Sequence, residues 1–197
     1  MKFDAQSLSP KENYKLLIGS IIPRPIAFVT TKGADGTINA APFSFFTVAS
    51  SHPPQLLIAV QKTDQGEKDT AKNILLNQEY VIHIVSEEIV EAVNETAAPL
   101  AYGESELERT NLTLIDSDLI DVPAVAEAKI RFELKLTQHV DLEAADLLIG
   151  EVVRYHVADE LVDSFRIDAD GLGAIARLAG NDYAKIGDIF TIARPTK

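Results

Sequence analysis

From residue 130 to residue 137 the chain alternates strictly. Ile130, Phe132, Leu134 and Leu136 are apolar, and Arg131, Glu133, Lys135 and Thr137 stand between them. A period of two belongs to a strand with one face in a core and the other in water. Related signals recur along the chain. Residues 26–31 and 80–85 are rich in β-branched and aromatic side chains, the composition of strands. Residues 55–61 form a continuous apolar run, which predicts a strand buried on both faces. Residues 147–157 make the last long strand, with Gly150 marking a bulge or a close backbone approach. Residues 141–146 read as an acidic turn, and His83 as a packed, hydrogen-bonded residue within its strand.

Helices fill the gaps. Ser9-Pro10-Lys11-Glu12 is a capping-box start, followed by an apolar side of Tyr14, Leu16, Leu17 and Ile18, with Gly19 as a stop. A second helix is expected over 70–77, capped by Asp69. A third runs over 87–96, beginning at Ser86. Residues 97–125, with Pro99, Gly103 and Pro123 and weak periodicity, read as an excursion over the surface. At 197 residues the expectation is one domain, 1–197, large enough for a real core.

Two stretches suggest a ligand. Residues 24–54 hold a strand, the turn Gly33-Ala34-Asp35-Gly36, and a segment from 39 to 47 in which Ala40, Ala41 and Ser44 neighbour Phe43, Phe45 and Phe46. Small residues let a flat ligand approach the backbone and aromatics give it an apolar wall; a hairpin with core phenylalanines has the same pattern. Pro23 and Pro25 hold the chain extended, and Arg24 between them either reaches a phosphate or is an ordinary solvated arginine. In Lys68-Asp69-Thr70-Ala71-Lys72-Asn73-Ile74, a lysine, a hydroxyl and unpaired amides meet at a helix start. That arrangement suits an anion and equally a capped surface helix.

R-P-I-A-F-V-T-T from Arg24, N-A-A-P-F-S-F-F from Asn39, P-P-Q-L-L-I-A-V from Pro53, K-D-T-x-x-N-I from Lys68 and G-E-V-V from Gly150 together resemble the flavin reductase-like family of FMN-binding split barrels. Residues 171–183 are similar to that family's late Arg-Leu-Gly-Gly and tyrosine segment, with Ala179 in place of one glycine. The resemblance implies a mostly β fold, a barrel of about six strands whose closure disposes of exposed edges, with flanking helices. It implies FMN held by Arg24, Thr30, Thr31, Asn39, Ala41, Ser44, Phe45, Phe46, Lys68, Asp69, Thr70, Asn73, Arg177 and Tyr183, with Lys68 and its helix start on the phosphate side. For Arg177 and Tyr183, a loop anchored by a salt bridge and a buried ring is the alternative.

The resemblance further implies NADH or NADPH as reductant, hydride transfer to the flavin ring, and amides around residues 44–46 on the ring edge. No catalytic side chain is required. A homodimer is expected, with Phe43 to Phe46 at its interface. Ala145 stands where related reductases often carry histidine, which also admits an FMN electron-transfer or sensor protein with little use for NAD(P)H. A structural dimer that keeps the fold without flavin is the third reading.

Composition narrows the partners. Eighteen basic against 30 acidic residues give a net charge of −12, which disfavours nucleic acid and anionic membranes. No cysteine is present, so disulfides, thiolate nucleophiles and cysteine-bound metals are excluded. The four histidines show no metal-ligand spacing, and neither a P-loop nor a nucleophile elbow occurs. With no leader-like N-terminus and no apolar run of spanning length, a cytoplasmic location is expected.

Overall fold

The computed structural model describes residues 1–64, 66–98 and 104–195, so Pro99 and Gly103 of the expected excursion lie outside the described residues. Helix α1 (Pro10–Ser20) begins as its sequence dictates: the Glu12 amide donates to Ser9 Oγ, and the Glu12 carboxylate accepts from the Ser9 amide. Gly19 does not stop it, because the helix continues one residue further. Of the expected apolar side only Ile18 is buried; Tyr14, Leu16 and Leu17 face outward.

Strands β1 (Arg24–Pro25) and β2 (Ala27–Lys32) lead through the glycine turn into β3 (Ile38–Phe43). β4 (Phe46–Ser51) and β5 (Pro54–Gln61) form the next hairpin. Helix α2 (Asp69–Asn77) follows, then β6 (Glu79–Ile84) and the short α3 (Val90–Glu95), which starts later than the expected 87–96. Beyond a 3-10 turn (Glu106–Arg109) come β7 (Leu114–Ile115), β8 (Ala124–Val125) and the long hairpin β9 (Ile130–Asp141) and β10 (Ala145–Val157). The chain then passes through β11 (Val162–Asp163), β12 (Arg166–Ile167), α4 (Ala169–Leu172), β13 (Ile175–Arg177) and β14 (Tyr183–Lys185).

Seven antiparallel strands form the main sheet in the order β3–β2–β6–β9–β10–β5–β4. That is one more than expected, and the ladder does not close: β3 and β4, consecutive in the chain, are its two edges. A three-stranded sheet, β1–β13–β14, lies beside it. Alternation along the strands separates two larger cores, beside a smaller cluster of Val81, Ile120, Val122 and Ala124. Val29, Ile58, Tyr80, Ile82, Leu134 and Leu148 pack with Ile74 of α2, while Phe28, Val85, Val93, Val125 and Ile175 form the second core with α3. Each fully buried aliphatic or aromatic chain contributes about 1.5–3 kcal/mol of transfer free energy. No helix among the described residues is long and apolar enough to cross a membrane.

Several local expectations are corrected. β5 is not buried on both faces: Leu56, Ile58 and Val60 are buried, and Leu57 and Ala59 are half-buried. Glu133, on the polar side of the alternating strand, is fully buried. Its carboxylate accepts from the Asp118 and Leu119 amides and from His156 Nε2. Burial alone would raise the Glu133 pKa; these donors outweigh it and hold the carboxylate below its usual range. Asp146 belongs to β10 rather than to an exposed turn. It is fully buried and accepts from His139 Nε2 at 2.8 Å. The described part of the excursion is no surface loop either, since it buries Leu107, Ile120, Val122, Ala124 and Val125.

His83 is the packed residue its strand position suggested. Its Nδ1 donates to the Phe28 carbonyl at 2.8 Å, and its Nε2 accepts from the Val125 amide at 2.9 Å. Burial pushes its pKa down to about 4, so the ring is neutral.

Candidate functional site

Edge strand β3 forms one wall of a trench. The opposite wall is the loop following β5 and the start of α2. Asn39, Ala41, Pro42, Lys68, Asp69 and Thr70 line a cavity of about 650 Å³, within the size range of cofactor sites. Ala41 keeps the strand edge low, so a flat molecule meets little more than backbone there.

The start of α2 is chemically open. Lys68, not Asp69, occupies the N-cap position, and no side chain caps the helix. Lys68 is extended there (φ −73°, ψ 156°) because the residue before a helix is still outside it. Among the described residues no side chain caps the first-turn amides, which carry the positive end of the helix dipole. The Lys68 ammonium lies 5.9 Å from the centre of the Phe43 ring, a cation–π distance.

Behind this end runs a buried polar network. Asn73 Nδ2 donates to Thr31 Oγ1 at 3.1 Å, and Thr70 Oγ1 donates to Asn39 Oδ1 at 3.3 Å. Asn39 Nδ2 and the Ala40 amide both donate to one Glu106 oxygen, at 3.0 and 3.1 Å. Buried polar groups are affordable only when paired in this way, and the pairing fixes Thr70 and Asn39 at the trench wall. Glu106, which the sequence did not flag, faces the trench with Asp64, Glu67 and Asp69 against Lys68 and Lys72. Burial raises the Glu106 pKa, Asp69 adds to it, and the Ala40 and Asn39 donors work against both.

At the other end of β3 a smaller cavity of about 200 Å³ opens beside Arg24, Phe43, Ser44, Arg177 and Tyr183. Pro42 and Ala97 line both cavities. Arg24 is neither solvated nor free to reach out. It is buried, and Nη1 donates to the Ile18 and Ile21 carbonyls, each at 2.6 Å. Nη2 donates to the Leu178 carbonyl at 2.7 Å and Nε to Ser44 Oγ at 3.4 Å. This arginine clamps the end of α1 to the loop after β13.

Arg177 lies over the Tyr183 ring, 4.5 Å from its centre, and donates to the Gly180 carbonyl. The Tyr183 hydroxyl donates to Asn94 Oδ1. Among the described residues no salt bridge anchors Arg177, and Tyr183 is half-buried rather than buried, so the loop is anchored by a cation–π contact and a backbone acceptor instead.

The predicted residues therefore divide by place. Asn39, Ala41, Lys68, Asp69 and Thr70 line the trench; Thr31 and Asn73 brace it from behind. Arg24, Ser44, Arg177 and Tyr183 gather at the second cavity. Thr30 does not join either: it is fully buried and its hydroxyl donates to the Pro123 carbonyl. Phe45 sits in the bend between β3 and β4, where its carbonyl accepts from the Ala59 amide, and Phe46 packs on the first core. Phe43 is buried and Phe45 and Phe46 are half-buried, so this aromatic run is not an exposed apolar face.

Residues 18–170 match the model of the flavin reductase like domain. The chain belongs to this flavin reductase-like family. The seven-stranded sheet with its open edges is the family's split barrel. Among curated relatives, the YwrF protein of Bacillus subtilis is 49% identical over 98% of both chains. The crystal structure of nitrilotriacetate monooxygenase component B from Bacillus cereus is 46% identical, with a TM-score of 0.96 and 98% of each chain covered. The 2-nitrobenzoate 2-nitroreductase NbaA of Pseudomonas fluorescens is 32% identical, with a TM-score of 0.91, 100% of this chain and 97% of that one covered.

Proposed function

We propose that this family member is an FMN-dependent oxidoreductase that passes electrons from NADH or NADPH, through flavin, to free flavin or another acceptor. The observation that carries the reading is the trench itself. A helix start without a side-chain cap, with Lys68 at the cap position, closes one end of a groove whose other wall is a low strand edge. Those donors fit a phosphate, and the low edge at Ala41 fits a planar ring. The similarity to a monooxygenase component and to a nitroreductase supports redox chemistry.

Bound flavin would supply hydride acceptance and electron relay. The chain's own residues would bind and orient it. Lys68 and the first amides of α2, that of Thr70 among them, would hold the phosphate by charge-assisted hydrogen bonds. Asn39 and Asn73 would keep Thr70 and Thr31 in place, and Pro42 and Phe43 would exclude water from one flank. No side chain is assigned as nucleophile or general acid.

A homodimer in the cytoplasm completes the proposal. Its support is apolar surface left outward by α1 and the turn after it: Leu17 and Ile21 are 57% and 62% exposed. Ile189, Phe190 and Ile192 of the extended tail are exposed as well. Such surface is costly in water and ordinary at a two-fold interface.

One observation favours a second reading, an FMN electron-transfer protein with little use for NAD(P)H. Ala145 is a buried strand residue paired with Gln61, and its methyl group offers nothing where related reductases often carry an imidazole. Anaerobic mixing of the FMN-loaded protein with NADH or NADPH separates the two. Bleaching of the flavin colour within seconds supports the reductase; colour that persists under both nucleotides and is bleached by dithionite supports the carrier.

A further inference from the structure

The smaller cavity is an electrostatic exception. In a chain of net charge −12, its lining among the described residues holds two arginines and no carboxylate. Arg24 and Arg177 are directly opposed in the β1–β13 pair, and like charges in that position repel. Burial, first, and the charge of Arg177, opposed by Tyr14, leave the Arg24 guanidinium below its usual range.

The two arginines are not equivalent. The four bonds made by Arg24 use four of the five N–H groups of its guanidinium. Among the described residues the Arg177 guanidinium donates to the Gly180 carbonyl alone and has no acidic partner. Its guanidinium carbon stands 4.5 Å from the centre of the Tyr183 ring, a cation–π position that helps hold the side chain at the cavity. Ile26, Phe43, Val85 and Val93 give the cavity an apolar wall, and Tyr14 and Ser44 add neutral polar groups.

We propose that this cavity binds a small organic carboxylate with a flat or compact apolar body, its carboxylate on Arg177 and its body against Val85 and Val93. The size of the cavity, about 200 Å³, lies below the usual range for cofactors and suits a single substituted ring. Inorganic phosphate fits less well, because it has no apolar body to cover those walls. The role of such a ligand as acceptor or effector rests on the flavin reading, through the shared Pro42 and Ala97. Its binding rests on the cavity alone.

Benzoate is the probe, with benzamide as its uncharged counterpart and inorganic phosphate as the bare anion. Each is titrated calorimetrically into FMN-free and FMN-loaded protein. Benzoate is expected to bind both forms saturably, with benzamide and phosphate at least about 10-fold weaker, the scale of one charge-assisted bond. Arg177→Gln should weaken benzoate at least about 10-fold and Arg177→Lys less, while Lys68→Ala leaves it unchanged.

Equal binding of benzamide and benzoate to the native protein would overturn the proposal without recourse to any variant. So would unchanged benzoate affinity in Arg177→Gln, absence of benzoate binding, or competitive displacement of benzoate by FMN, which would assign the cavity to the flavin. If FMN fails to bind at all, the flavin reading falls, and the FMN-free titration still decides the carboxylate site.

Discussion

Gly150 lies so close to Tyr80 that a Cβ at this position would stand 2.8 Å from the Tyr80 Cζ and nearer still to its hydroxyl. The same hydroxyl is buried and has no hydrogen-bond partner among the described residues. β10 also shifts register against β9 between Ile149 and Gly150, so the bulge and the close approach share one cause: the phenol occupies the space a side chain would need.

Tyr80→Phe should therefore stabilise the fold by about 1 kcal/mol, because an unpaired buried hydroxyl costs about that much or more. Gly150→Ala should be strongly destabilising in the native background and less so combined with Tyr80→Phe. Urea denaturation of the four proteins checks both. A loss of stability in Tyr80→Phe would mean that the hydroxyl has a partner.

The close approach at Gly150 was legible because a glycine inside a strand pattern has few explanations. β2, β5, β6, β9 and β10 were legible for a similar reason, because composition and alternation are local, and α2 was read with Asp69 as its cap where Lys68 stands. Glu133 was not, because alternation assigns it to water. What buries it is the 118–119 backbone, from a stretch with no periodicity. Arg24 was misread in both of its alternatives, since its acceptors include Leu178, 154 positions away. Glu106 gave no signal at all, being one acidic residue among many in an acidic segment.

The second prediction concerns acid. The pKa of His83 falls from 6.5 to about 4 on burial, so below pH 6.5 the unfolded chain binds a proton that the folded chain refuses. Stability should rise with pH between about 4 and 6.5, by about 3 kcal/mol across that window from this residue. His83→Gln, which can keep both hydrogen bonds, should flatten that part of the profile. An unchanged slope in thermal or urea melts of the variant would assign the acid sensitivity elsewhere.

Glu106 sets a third. Its carboxylate faces the trench where a phosphate would approach, and its two backbone and amide donors converge on one oxygen that a glutamine can supply. Glu106→Gln should tighten FMN by about 5-fold at pH 8, equivalent to about 1 kcal/mol of relieved repulsion, and leave riboflavin unchanged. Fluorescence titration reads both. Weaker FMN binding would show that the carboxylate supports the ligand.

Self-association provides a fourth. Sedimentation at micromolar concentration should give a dimer, and FMN should stabilise it by mass action if it binds the assembled form. Leu17→Asp combined with Ile21→Asp, both at exposed positions, should yield folded monomers. A native monomer that binds FMN tightly would place the whole site within one barrel.

The proposal that the trench holds flavin with its phosphate at Lys68 is tested most directly by comparing FMN with riboflavin. Calorimetric titration of the native protein should give saturable binding of FMN. Lys68→Ala should weaken FMN by about 10- to 150-fold, the loss of one charge-assisted hydrogen bond of roughly 1.5–3 kcal/mol, and riboflavin much less. Equal losses for the two flavins, or FMN binding that ignores Lys68, would contradict the account.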